Sequence, residues 1–177
     1  MNLYKDFLNP VIVLMSICII VTGILAFAFN KTQPIIIDNA KKAADLARTE
    51  ILPEGDTFSE VKLDKQIGAI LEVYSADNGA GYVITAANKG YGGAVKAMIA
   101  INSEGKIEGI KVMENSETPG IGSRVIDSEN IKNFVGKDEN LEGVEDIKGV
   151  TYTSKAMRQN VNDAFAAFAE LGKGENK

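Results

Sequence analysis

Residues Val11 to Phe29 read VIVLMSICIIVTGILAFAF, nineteen consecutive positions without a charge. At about 1.5 Å per residue, a helix of that length spans about 28 Å, close to the roughly 30 Å of bilayer hydrocarbon. Ser16 and Thr22 can hydrogen-bond their own helix carbonyls, and Gly23 is at home in such a segment. A buried core helix or a cleaved signal peptide are the other readings of an apolar run. A signal peptide has a shorter apolar core and a small-x-small cleavage site, for which only Ala26-Phe27-Ala28 is a weak match. The length predicts an uncleaved transmembrane helix over 11–29, preceded by a short N-terminal tail over 1–10.

Charge is confined to the rest of the chain. Before Lys31 only Lys5 and Asp6 ionise, so they cancel and the formal −5 belongs to the downstream part. An acidic domain without a basic cluster repels phosphate backbones, so nucleic acid is not an expected partner. The absence of histidine excludes Ser-His-Asp triads, Cys-His pairs, and His-ligated zinc or haem. The single cysteine, Cys18, lies inside the apolar run, which leaves no disulfide partner and no cluster ligands. No carboxylate spacing suggests a metal site. Redox chemistry on this chain would therefore have to borrow an organic cofactor.

Hydrophobic residues at 45% and charged residues at 24% are ordinary for a globular domain, which excludes wholesale disorder. Pro34 makes a stiff exit from the apolar run, and Asp38 can cap a connecting helix within 30–52, where Ala40, Ala43, Ala44, Ala47 and Ile51 recur at helical spacing. Pro53 ends it and opens a domain over 53–177. Candidate strands run over 70–74, 81–85, 94–101 and 107–113, with Ser103-Glu104-Gly105-Lys106 as a hairpin turn. A Gly- and Pro-containing loop covers 114–125, and 131–134 suits a helical turn. Thr153 or Ser154 can cap a final helix to about Leu171, with Met157, Val161, Ala164, Phe165, Phe168 and Leu171 on one stripe. Strands bracketed by helices predict an α+β fold with a largely antiparallel sheet.

Three clusters hold residue types suited to a ligand. Gly90-Tyr91-Gly92-Gly93 leads into a strand, where glycine permits close approach of a ligand or simply makes a turn. Glu117-Thr118-Pro119-Gly120-Ile121-Gly122 places a carboxylate, a hydroxyl and backbone N–H groups on one loop, and it too can be a plain turn. In Glu145-Asp146-Ile147-Lys148-Gly149-Val150-Thr151-Tyr152-Thr153-Ser154, Gly149 lets the chain turn and present Thr151. Thr153 and Ser154 sit where a helix start either caps itself or receives a phosphate.

Together and in this order, KGYGG, ETPGIGSR and EDIKGVTYTS resemble the FMN-binding domain shared by the G subunit of the Rnf complex and the C subunit of Nqr. That family shows a glycine-tyrosine-glycine segment, then ETPG(L)G, then an acidic residue before (S/T)GAT-x-TS. Ile121 replaces leucine, Lys148 replaces the usual Ser or Thr, and Val150 replaces Ala. The family's acidic residue maps to Glu145, with Asp146 beside it. The resemblance implies that Thr151 carries FMN as a phosphoester attached by a flavin transferase. It further implies that Gly149, Val150, Thr153, Ser154, Glu117, Thr118, Gly120, Ile121, Gly122, Tyr91 and Gly92 line the cofactor site, with no catalytic residue and no metal.

The function so implied is a membrane-anchored electron-transfer subunit of an Rnf-type ion-translocating ferredoxin:NAD oxidoreductase, partnered by the other subunits and without turnover of its own. The alternatives are the Nqr C subunit, from a Na⁺-translocating NADH:quinone reductase, and an anchored structural or sensory subunit without flavin. Lys31, Lys41, Lys42 and Arg48 outnumber Lys5, which mildly favours a cytoplasmic C-terminal domain. The resemblance implies the opposite: a single pass through the inner membrane, N-terminus cytoplasmic, C-terminal domain outside. Long trailing domains translocate largely regardless of flanking charge.

Overall fold

A computed structural model of the chain describes residues 3–114 and 122–174. It divides into two units, 1–44 and 45–177, with the boundary inside the first helix. That helix, α1, covers Leu3–Ile51 and includes Pro10 and Pro34. In the first unit its apolar side chains, among them Ile12, Leu14, Ile20 and Phe27, are exposed, as a segment solvated by lipid requires. The Ser16 hydroxyl donates to the Ile12 carbonyl at 2.8 Å, and the Thr32 hydroxyl donates to Ala28 at 2.7 Å. Hydroxyls in this apolar helix thus satisfy themselves locally.

The helix does not restart at Asp38, as the sequence suggests. Pro34 removes one amide donor, yet the helix continues through it. Asp38 accepts an ion pair from Lys42 one turn later, at 2.7 Å, in place of capping.

The second unit is an α+β domain. Five strands, β1 (Phe58–Glu60), β2 (Ile70–Ala76), β3 (Gly81–Lys89), β4 (Ala94–Asn102) and β5 (Ile107–Glu114), form an antiparallel meander in sequence order. Short turns at 77–80, 90–93 and 103–106 join β2 to β5 in succession, since the chain can reverse between antiparallel neighbours within a few residues, whereas the longer segment 61–69 joins β1 to β2. The turn at 103–106 is closed by the Gly105 N–H bonding Asn102 O at 2.9 Å, with Gly105 at φ +76°. After β5 come two one-turn helices, α2 (Ser123–Ile126) and α3 (Ser128–Ile131), and a 3₁₀ turn at Lys132–Phe134. Part of the expected loop is therefore helical. The long helix α4 (Thr151–Gly174) ends the domain.

Both faces of the sheet are covered. On one face Ile84, Ala86, Val95, Ala97, Ile99 and Ile101 meet Met157, Val161, Ala164 and Phe165 of α4. Each fully buried Ile or Val there contributes about 1.5–3 kcal/mol relative to exposure. On the other face Val83, Thr85, Met98 and Ala100 alternate with that set, and the last turns of α1 supply buried Ala47, Arg48 and Ile51. The Arg48 guanidinium lies 3.5 Å from the centre of the Tyr74 ring, bonds Asp45, and sits 3.8 Å from Glu72. Lys111 pairs with Glu50.

Gly109 is a point of close approach between α1 and the sheet. A Cβ there would lie 2.8 Å from Ile51 O and 3.0 Å from Ile51 Cα, both backbone atoms that cannot swing aside. Gly109→Val is expected to destabilise the domain by about 1–3 kcal/mol, seen as a lower denaturant midpoint. An unchanged midpoint would show that the helix end is not seated there.

The short strand β1 was not apparent in the sequence. It exists through its partner, with Phe58, Ser59 and Glu60 opposite Ala76, Ser75 and Tyr74. Beside it the Thr57 hydroxyl donates to Asp77 at 2.6 Å, and hydrogen bonds from Thr57 and then Ser59 hold the exposed Asp77 carboxyl below its ordinary pKa.

Candidate functional site

The final helix begins two residues before the expected cap. Thr151 is its first residue and is exposed, while Thr153 and Ser154 lie buried within the first turn. Neither is the residue before the helix, so the capping role expected of them is corrected. The Ser154 hydroxyl instead accepts the Ile147 N–H at 3.2 Å, reaching back to hold the incoming chain. Ser154 N–H begins the helical ladder on Val150 O at 3.0 Å, and Val150 N–H bonds Ile147 O at 3.1 Å.

Gly149 makes this entry possible. Its φ of +84° belongs to the left-handed region that favours glycine, and a Cβ built there meets nothing within 4 Å. Buried Val150 then plugs the core, and Thr151 emerges with its hydroxyl at the positive end of the α4 dipole. Arg158, two turns into α4, ties down the segment ahead. It donates to Val144 O at 2.7 Å and to Asp146 at 3.1 Å and 3.2 Å. Of the two adjacent acids, Asp146 is thus held by the helix, and Glu145 is exposed.

Gly90-Tyr91-Gly92-Gly93 forms the tip of the β3–β4 hairpin, closed by the Gly90 N–H bonding Gly93 O at 2.7 Å. A buried polar network sets the tip against α4. Asn160 is 0% exposed; its carbonyl oxygen accepts the Asn88 N–H at 2.8 Å and its amide donates to Val95 O at 2.8 Å. Asn88 and Val95 are opposite each other in the ladder, just below the tip. Asn88 Nδ2 also donates to Asn160 Oδ1 at 3.0 Å and to Asp163 at 2.9 Å, and Asp163 accepts the Ala69 N–H at 2.9 Å and Gln159 Nε2 at 2.8 Å. Every member gains partners, which is what makes a buried polar cluster tolerable.

The consequence is that Tyr91 at the tip and Tyr152 in the first turn of α4 meet. Their ring centres are 6.5 Å apart at 44°, although both side chains remain over 70% exposed. The first and third clusters therefore share one surface around Thr151. Gly122 is buried and precedes α2, whose Val125 lines a small cleft with Glu145, Asp146, Ile147 and Ser154. Glu117, Thr118, Gly120 and Ile121 lie outside the described residues. Tyr152, Asn160 and Arg158 were not singled out from the sequence. Tyr152 is marked by its contact with Tyr91, and Arg158 and Asn160 by their hydrogen bonds to the incoming segment and the hairpin, all visible once α4 is placed.

These residues suit a phosphorylated, planar cofactor. An exposed hydroxyl stands at a helix N-terminus, with open space at Gly149 and exposed aromatic rings alongside. Comparison with known proteins agrees. A family model described as FMN-binding domain matches residues 90–166, from the hairpin tip into α4.

Among similar proteins, the G subunit of the Na⁺-translocating ferredoxin:NAD⁺ oxidoreductase complex of Acetobacterium woodii is 31% identical, over 72% of this chain and 75% of the relative. The G subunit of the proton-translocating ferredoxin:NAD⁺ oxidoreductase complex of Clostridium ljungdahlii is 27% identical over 83% of each. The G subunit of an ion-translocating oxidoreductase complex from Methanosarcina acetivorans is 26% identical over 90% of this chain and 93% of the relative.

Proposed function

Because the chain belongs to the family of G subunits of ion-translocating oxidoreductase complexes, we propose that it is the membrane-anchored electron-transfer subunit of an Rnf-type complex and carries FMN as a phosphoester on Thr151. The observation that carries this reading is the placement of Thr151. Exposed Thr151 opens α4, follows the Gly149 turn, and precedes Tyr152, whose ring meets Tyr91 of the hairpin tip, inside the region matched to FMN-binding domains. When bound, FMN supplies reversible electron transfer, chemistry that no side chain of this histidine-free protein offers.

The protein's own residues hold and orient. In that attachment the Thr151 O–H bond would break as its oxygen forms a bond to phosphorus, the flavin donor's leaving group departing with the proton, and the N-terminus of α4 would favour the remaining phosphate charge. Permanent attachment means that no binding affinity is spent on retaining the cofactor as it gains and loses electrons. Gly149, Val150 and Ser154 fix the direction in which the hydroxyl points, and Asn160 fixes the facing hairpin. The motif implies that Glu117, Thr118, Gly120, Ile121 and Gly122 also contact the cofactor. Nothing among the described residues forms a group of three acids or thiols able to hold a metal. In this reading turnover belongs to the assembled complex, whose donor and acceptor subunits meet this domain.

Helix α1 anchors the domain, which sits on the extracytoplasmic side, where a flavin transferase modifies it. One preparation tests assembly and sidedness together. A tagged chain purified from native membranes in mild detergent is expected to bring down the other membrane and peripheral subunits. With Cys18→Ala and Glu139→Cys introduced, a membrane-impermeant maleimide is expected to label intact cells with an opened outer layer. Purification of the chain alone contradicts the complex. Labelling only after lysis contradicts the orientation.

A further inference from the structure

Large aromatic side chains at a protein surface are ordinarily covered, because each can bury 150–250 Å². Tyr91 and Tyr152 are 74% and 71% exposed and yet come from segments sixty-one positions apart to lie beside one another. The Asn160 network holds one of them and the start of α4 holds the other, so the pair is built on two braced elements. Tyr152 directly follows Thr151 in the first turn of α4, and its ring reaches the hairpin tip at Tyr91. The ring centres are 6.5 Å apart. A planar ring between two aromatic faces needs about 7 Å, two stacking distances of about 3.5 Å. The rings are tilted by 44°, so taking a planar ring between them requires the two side chains to turn towards parallel.

We infer that Tyr152 and Tyr91 form an aromatic clamp that takes the isoalloxazine ring of the flavin carried on Thr151. The inference rests on that attachment and adds a residue, Tyr152, and a contact that the family motif does not specify. The clamp fixes the ring's position after the phosphoester has fixed only its tether. It also shields one or both ring faces from water, while leaving the edge open to a neighbouring subunit. Phenol rings at stacking distance quench flavin emission, whereas leucine does not, so the contact has an optical signature separate from attachment.

The test uses full-length wild type, Tyr152→Leu, Tyr152→Phe and the double variant Tyr91→Leu/Tyr152→Leu, each matured in the native host and purified in detergent. Both tyrosines are exposed, so folding is expected to be untouched, and intact mass reports FMN occupancy for each. With occupancy unchanged, flavin emission and lifetime are expected to rise several-fold in Tyr152→Leu and further in the double variant. Tyr152→Phe, which stacks but donates electrons poorly to excited flavin, is expected between wild type and leucine. Full occupancy with emission equal to wild type in the leucine variants overturns the clamp alone. A wild-type chain without added FMN mass overturns the attachment and the clamp with it.

Discussion

Thr151→Ala is expected to yield a folded, membrane-anchored protein with no flavin at all. Wild type, denatured in acid and run on a denaturing gel, is expected to fluoresce yellow, because a phosphoester survives unfolding and a merely bound cofactor does not. The alanine variant is expected to lose that band completely, and Thr151→Ser, which keeps a hydroxyl, to retain it. The effect is all-or-none in chemistry and small in stability. Thr151 is exposed and makes the first helical position, not the cap, so its truncation falls within about 0.5 kcal/mol. Thr153→Ala is the contrasting control: its side chain is 0% exposed, so it is expected to disturb packing while leaving the acceptor in place. A fluorescent band that persists in Thr151→Ala would move the attachment to another residue.

Asn160→Leu is expected to have the largest effect on stability. Leucine keeps asparagine's branching but is bulkier and makes no hydrogen bond, so lost hydrogen bonding and overpacking act in the same direction. The Val95 carbonyl loses its partner in a site closed to water, and the half-buried Asn88 N–H loses its partner as well. At about 1–3 kcal/mol for the buried group left unpaired, and less for the half-buried one, the domain loses roughly 1–5 kcal/mol. Thermal unfolding of the full chain in detergent, followed by circular dichroism, measures it. Because Asn160 braces the hairpin below Tyr91, the variant is also expected to show brighter flavin emission at temperatures where it remains folded. A loss within 0.5 kcal/mol, roughly the range of an ordinary surface change, would mean that the network does not hold the hairpin.

Particular residues show how far the sequence alone reaches. The anchor was legible because an uncharged run of nineteen residues has few physical outcomes. Strands β2 to β5 were legible from their apolar texture and the turns between them, and the antiparallel α+β fold followed from helices bracketing strands. The continuity of α1 through Pro34 was not legible, since a proline signals a break and only the finished helix shows that the missing donor is tolerated. Strand β1 was not legible because three residues carry no periodicity, and its pairing to β2 depends on a partner roughly fifteen positions on.

Thr151 was reached through its motif. The meeting of Tyr91 with Tyr152 was not, because it depends on Asn160 joining Asn88 and Val95 across 72 and 65 positions. Local patterns carry secondary structure; the site's second wall is set by contacts that no local pattern encodes.

The central claim is that one threonine oxygen carries the cofactor. Mass spectrometry of the intact wild-type chain, taken from its native membranes, tests it most directly. The account predicts the sequence mass increased by FMN less one water, with fragmentation placing the addition on Thr151. A chain unmodified at Thr151 in every copy would contradict it.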